Sequence, residues 1–198
     1  MNQELPIKHV SGKLQLAGIP EFPRLTPENP AVSVFTDFTR NAVYSTESEA
    51  TIDQALEFMK AVGVRFLFVK DMQDILVGLV TSNDILGEKP MRYLQSLDCT
   101  LSSCSREDVL VRHIMVPLDE WEVIDYADVL KAKISQVVDA FKSRGRRHLV
   151  VTEDCEGEAV VRGIFSATRV EQVLGIRIET VRTPQSFAEI ESAVIHAG

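Results

Sequence analysis

Apolar residues recur along this chain with two distinct periods. Ile52, Ala55, Leu56, Met59 and Val62 follow helical spacing and form one stripe. Thr51 and Gln54 stand before that stripe as a capping box, and Gly63 follows it, where a helix commonly ends. Residues 64–69 then run nearly unbroken apolar and predict a buried strand. Asp71, Met72, Gln73 and Asp74 predict a turn, and residues 75–80 a second strand pairing back. Thr81 stands where that strand meets a short helix begun by Ile85 and Leu86. A hydroxyl there caps free N–H groups, and such a junction favours anions. Asp84, one turn on, is a carboxylate suited to accepting hydrogen bonds from ribose hydroxyls. On this stretch alone the simpler reading is a capped helix with a solvated Asp84.

The pattern occurs twice. Gly163, Ile164, Phe165, Ser166 and a following helix repeat Gly78, Leu79, Val80, Thr81 and its helix. Upstream, residues 134–145 match 52–63 without a gap, with Ile52/Ile134, Gln54/Gln136, Lys60/Lys142 and Gly63/Gly145 coinciding. The offset is 82 residues at the helix and 85 at the glycine motif, which places three extra residues in the turn near Glu153 and Glu158. Two copies of one strand, helix, strand, strand, helix unit with a gap in a turn signal an internal structural repeat.

The rest divides around these copies. Five prolines in 1–30 predict an extended arm. Residues 31–38 alternate towards apolar, and Val43 and Tyr44 predict a short strand. The first unit spans 31–88. A connection, 89–108, carries Met91, Tyr93, Leu94 and Leu97 at spacings that extend a helix. The second unit spans 109–175, with residues 117–128, including Trp121, read as irregular and a helix over 134–143. Residues 176–198 predict a strand through Ile176, Ile178 and Val181 and a helix from Ser186.

Composition narrows the function. A net charge of −8 with no basic tract argues against nucleic-acid binding. Cys99, Cys104 and Cys155 form no CxxC pair and are read as reduced thiols in a cytoplasmic protein. No apolar run suffices to span a bilayer, and the start resembles no signal peptide. His9, His113, His148 and His196 are scattered, no metal-ligand spacing occurs, and no catalytic motif is visible, so the chain is expected not to be an enzyme.

With Thr36, Asp37, Phe38 and Thr39 opening the first copy, Gly78-x-x-Thr81-x-x-Asp84 closing it, and His113, Ile114, Met115 and Val116 opening a second that ends in Gly163-x-x-Ser166-x-x-Arg169, the chain resembles a tandem CBS-domain pair, the Bateman module. The resemblance covers about residues 31–175. It implies an α/β fold of two β-α-β-β-α repeats packed about a pseudo-two-fold axis. It further implies a regulatory module that dimerises, requires no cofactor, binds AMP, ADP or ATP between its paired units, and signals to another protein.

By the same resemblance Asp84 takes the ribose, Thr81 is its neighbouring hydroxyl, Thr39 is the opening threonine, and Val64, Arg65 and Phe66 flank adenine and reach phosphate. The second copy departs from this pattern. Arg169 replaces the aspartate, Val116 replaces the threonine, and Arg146, Arg147 and His148 occupy the strand positions beside Ser166. Two readings stay open for these cations, phosphate contact or a solvated strand face. The alternative for the whole chain is a ligand-free dimerisation scaffold.

Overall fold

The structure, a computed structural model, describes residues 24–97 and 105–179 together with Ile7, His9, Val10, Gly12 and Lys13. Most of the predicted arm, Cys99, Cys104 and the predicted helix from Ser186 lie outside the described residues.

The first repeat contains β1 (Thr36–Asp37), β2 (Ser45–Glu47), α1 (Ile52–Val62), β3 (Phe66–Lys70), β4 (Leu76–Thr81) and α2 (Ser82–Leu86), followed by α3 (Lys89–Ser96). The second contains β5 (Val116–Pro117), β6 (Val123–Asp125), α4 (Tyr126–Val129), α5 (Ile134–Arg144), β7 (His148–Cys155), β8 (Glu158–Ser166) and α6 (Ala167–Leu174). Local chemistry sets the helix ends. The Thr51 hydroxyl accepts from Gln54 N–H at 3.2 Å and Gln54 Oε1 accepts from Thr51 N–H at 3.0 Å, closing the predicted capping box. Gly63 and Gly145 both adopt left-handed backbone at the C-caps of α1 and α5, a conformation costly for residues with a Cβ.

Three local expectations need correction. The alternation read over residues 31–38 is broken, because residues 31–34 form a 3-10 turn before β1. The strand expected at Val43 and Tyr44 forms at Ser45–Glu47, parallel to β3. Residues 117–128 are not wholly irregular: they hold β6, parallel to β7, and the start of α4. Both short strands take their hydrogen bonds from a partner distant in sequence, which local periodicity does not record. Residues 176–179 are described and form no strand.

The strands make two four-stranded sheets, ordered β1-β8-β7-β6 and β2-β3-β4-β5. Each sheet thus borrows one strand from the other repeat. Thr36 faces Ile164 and Asp37 faces Gly163, while Val116 faces Leu79 and Pro117 faces Gly78. The exchange extends into the cores. Ala31, Val34 and Phe35 of the first repeat lie in one cluster with Ile134, Phe141, Leu149 and Phe165 of the second. Val109, Val111 and Ile114 lie in the other with Ile52, Met59, Leu67 and Val80. The two motif glycines permit the crossing. A Cβ on Gly163 would collide with the Phe35 ring and Thr36 carbonyl oxygen, and one on Gly78 would lie 2.8 Å from the Val116 carbonyl oxygen.

Alternation along the strands gives each sheet two buried faces. Leu67 and Val69, like Leu149 and Val151, belong to the helix-packed cores. Phe68, Leu79, Val150 and Ile164 are buried but outside both clusters, on the opposite faces. There the sheets meet, with Phe66 of β3 and His148 of β7 at 5.2 Å between ring centroids. The second hairpin is longer: Cys155 faces Glu158 across a turn with Glu156 and Gly157 both at positive φ. This accounts for the offset change from 82 to 85.

Because Phe35 is buried in the core of the other repeat, Phe35→Ala is expected to destabilise the whole chain by about 3–5 kcal/mol. Urea unfolding followed by Trp121 fluorescence and by far-UV circular dichroism should give one coincident transition. Two separated transitions would show that the repeats unfold independently.

Candidate functional site

The end of β4 and the first turn of α2 hold Thr81 and Asp84 in a closed arrangement. Asp84 Oδ2 accepts from the Thr81 N–H at 2.8 Å and from the Thr81 hydroxyl at 2.6 Å, while Thr81 Oγ1 accepts from Asp84 N–H at 3.2 Å. Asp84 Oδ1 meets Lys89 Nζ at 2.8 Å. Lys89, at the start of α3, also donates to the Ile114 carbonyl at 2.9 Å. Ile114 immediately precedes the β5 region that pairs with β4, so the carboxylate is bounded by both repeats.

The neighbouring surface is aromatic and cationic. Phe66 is register partner to Thr81. It packs edge-on to Phe68 at 5.6 Å and faces His148. Phe68 in turn contacts Phe38 at 5.6 Å and Trp121 at 6.0 Å. Trp121 donates its indole N–H to the Val116 carbonyl at 3.2 Å, which fixes it over the lead-in to the second repeat. Trp121 escaped the sequence reading because it stood in a segment without periodicity. Its burial potential as the sole tryptophan was the available signal. Arg65 is exposed just before β3, close enough to His148 to affect its charge.

Burial first, then the Arg147 charge and, more weakly, Arg65, lower the His148 pKa to about 4; the Asp84 carboxylate works in the other direction. The His148 imidazole of the chain by itself is therefore held neutral at physiological pH. Arg147 is engaged as well. Its guanidinium forks onto Glu171 at 2.7 and 3.0 Å, and this pairing holds the Glu171 carboxyl below its usual range. Arg146 donates to the Glu120 carbonyl at 3.2 Å. Ser166 begins α6 without a side-chain cap bond, and Arg169 is exposed on its first turn. Among the five candidates of the second copy, the structure thus commits Arg146 and Arg147 to the chain itself and leaves Arg169 facing solvent.

Thr39 is not brought to Thr81 and Asp84 by strand pairing. It follows β1, which pairs with β8, while Thr81 ends β4, which pairs with β5. The register also pairs Val116 with Leu79 as Thr36 with Ile164, so the counterpart of Val116 is Thr36. Thr39 donates its N–H and hydroxyl to Asp37 Oδ1 at 2.9 and 2.7 Å. Asp37 also receives a forked pair from Arg162 at 3.0 and 3.1 Å, which with the Thr39 bonds pushes its carboxyl far below the usual range. Arg162 reaches Glu153 at 2.5 Å and lies 4.2 Å above the Tyr126 ring. These charges are thus paired with one another within the chain. Val64, before β3, is half-buried against the first core and offers only apolar surface.

Among the described residues no group of three or more His, Cys, Asp or Glu side chains could hold a metal ion, and no helix is long and apolar enough to cross a membrane.

The family model of the CBS domain matches residues 35–90. No curated protein matches the chain. An uncharacterized conserved protein from Pyrococcus horikoshii is similar in structure, with 18% identity, a TM-score of 0.51 and coverage of 79% of this chain and 100% of that one. A conserved CBS-domain protein of unknown function from Thermoplasma acidophilum is similar with 16% identity, a TM-score of 0.50 and coverage of 82% and 76%. These similarities bear out the expected α/β architecture of paired repeats.

The depressed His148 pKa carries a sign. Between about pH 4 and 6.5 the unfolded chain takes up a proton that the folded imidazole refuses, so stability present above pH 6.5 is lost as the pH falls towards 4. From pH 7 to pH 5 this loss should be about 2 kcal/mol. Urea titrations of the wild type and His148→Gln at the two pH values check it. The variant should lose most of the difference, and an unchanged difference would place the acid-sensitive group elsewhere.

Proposed function

We propose that this CBS-domain chain, a regulatory module by family, binds an adenine nucleotide of the AMP, ADP or ATP kind at Thr81 and Asp84 and passes the bound state to a partner protein. The observation that carries the reading is the Asp84 carboxylate at the end of β4. It is nearly buried, at 14% side-chain exposure, and only partly used by Thr81. A buried carboxylate accepts hydroxyl hydrogen bonds strongly, as a ribose diol requires. Phe66, Thr81 and Arg65 supply the apolar wall, hydroxyl and cation expected beside it. The lead-in to the second repeat, through Ile114 and β5, contributes the other side. Regulation follows from that construction, since a ligand held by both repeats biases their relative geometry.

The second cleft supports a structural role instead. Arg169 stands at the position of Asp84, and Arg147, counterpart of Arg65, is held by Glu171. One nucleotide site per chain is therefore proposed, in a non-catalytic, cytoplasmic homodimer that needs no cofactor.

Calorimetry of nucleotide-free protein with AMP, ADP and ATP, each with and without Mg²⁺, tests this. At least one nucleotide is expected to bind. Asp84→Ala should weaken it by about tenfold or more while circular dichroism stays unchanged. If the wild type binds none of them, the scaffold reading replaces this one. If Asp84→Ala binds normally, the site lies elsewhere.

A further inference from the structure

The Asp84 carboxylate already has a cationic partner, and that partner has a consequence for which ligands enter. Both acceptor positions of Oδ2 are filled by Thr81, in a cap that closes α2. Oδ1 has two positions, of which Lys89 holds one at 2.8 Å. A vicinal diol donates two hydrogen bonds, so full engagement by a ribose requires the ammonium to withdraw. Lys89 is free to do so. Its side chain is 40% exposed on a long flexible stem, whereas the Thr81 bonds are local and part-buried. The displaced ammonium stays tethered by the Ile114 carbonyl at 2.9 Å, at the edge of the same site.

We propose that Lys89 is an intrinsic counter-cation of the site that makes binding depend on a phosphate, so that the site selects nucleotides over nucleosides. This rests on the nucleotide reading above. A neutral nucleoside takes the carboxylate from Lys89 and leaves the ammonium without an anion. A nucleotide takes the carboxylate and returns a phosphate to the same ammonium. The second repeat carries neither member: at the 85-residue offset, Arg169 stands at the place of Asp84 and Leu174 at that of Lys89.

The test is the ratio of adenosine to AMP affinity, measured by calorimetry on the full chain for the wild type, Lys89→Met and Lys89→Arg. The wild type is expected to prefer AMP by about tenfold or more. In Lys89→Met the preference should shrink to about threefold or less, with adenosine bound as tightly as before or more tightly. Lys89→Arg should keep the wild-type ratio and shows that the position tolerates change. A Lys89→Met protein that binds both ligands with the wild-type ratio overturns the role of Lys89 and leaves the nucleotide reading standing. A wild type that binds neither ligand overturns both.

Discussion

The exchange of opening segments between the repeats is the constraint on which the rest of the structure depends. Neither helix-packed core is complete without residues from the other repeat: Phe35 closes one and Ile114 the other. The crossing strands are only two residues long, too short to hold by hydrogen bonding alone. Burial of the apolar residues beside them anchors them, and Gly78 and Gly163 leave the space through which they pass. The two sheets are therefore pressed together with their second faces buried, and Phe68, Leu79, Val150 and Ile164 form a layer that belongs to neither unit.

The same exchange decides where chemistry sits. The junction at Asp84 is made of the closing motif of one repeat and the lead-in of the other, and its counterpart at Ser166 carries different side chains. In the first repeat Asp84 faces Lys89 and an exposed Arg65 stands just before β3. In the second repeat Arg147 is locked to Glu171, and along β1 and β8 Asp37, Arg162 and Glu153 form a part-buried ion-pair network. Opposite charges paired within the chain leave little to offer a ligand. A carboxylate held by a flexible lysine leaves a great deal.

Much of the architecture was legible in the sequence because it is local or repeated. The Thr51 capping box, the Gly63 terminator, the apolar strands and the offset jump from 82 to 85 residues are all patterns within a few positions or between two copies. The strand exchange was not legible, because nothing in Thr36 or Val116 names the strand it will join. That gap hid the sheet that the segment before Thr39 joins, which pairs with β8 while its Phe38 reaches across to Phe68. The partners of the second-copy arginines were hidden for a similar reason: the fork onto Glu171 spans 24 residues and the reach of Arg162 to Asp37 spans 125. Trp121 stood in a segment with no period, and its place beside Phe68 is a product of tertiary packing.

The unequal pairing across the sheet interface, with Phe66 against His148, gives the pseudo-dimer a direction. Two identical repeats would fill two equivalent clefts and allow each to influence the other within a single chain. Under the proposed reading, a chain that binds at Asp84 alone would have no second internal site to cooperate with, so its own titration would be hyperbolic and its output graded. Any sharper threshold would then have to come from association of chains, and subunit concentration would become as much an input as the ligand.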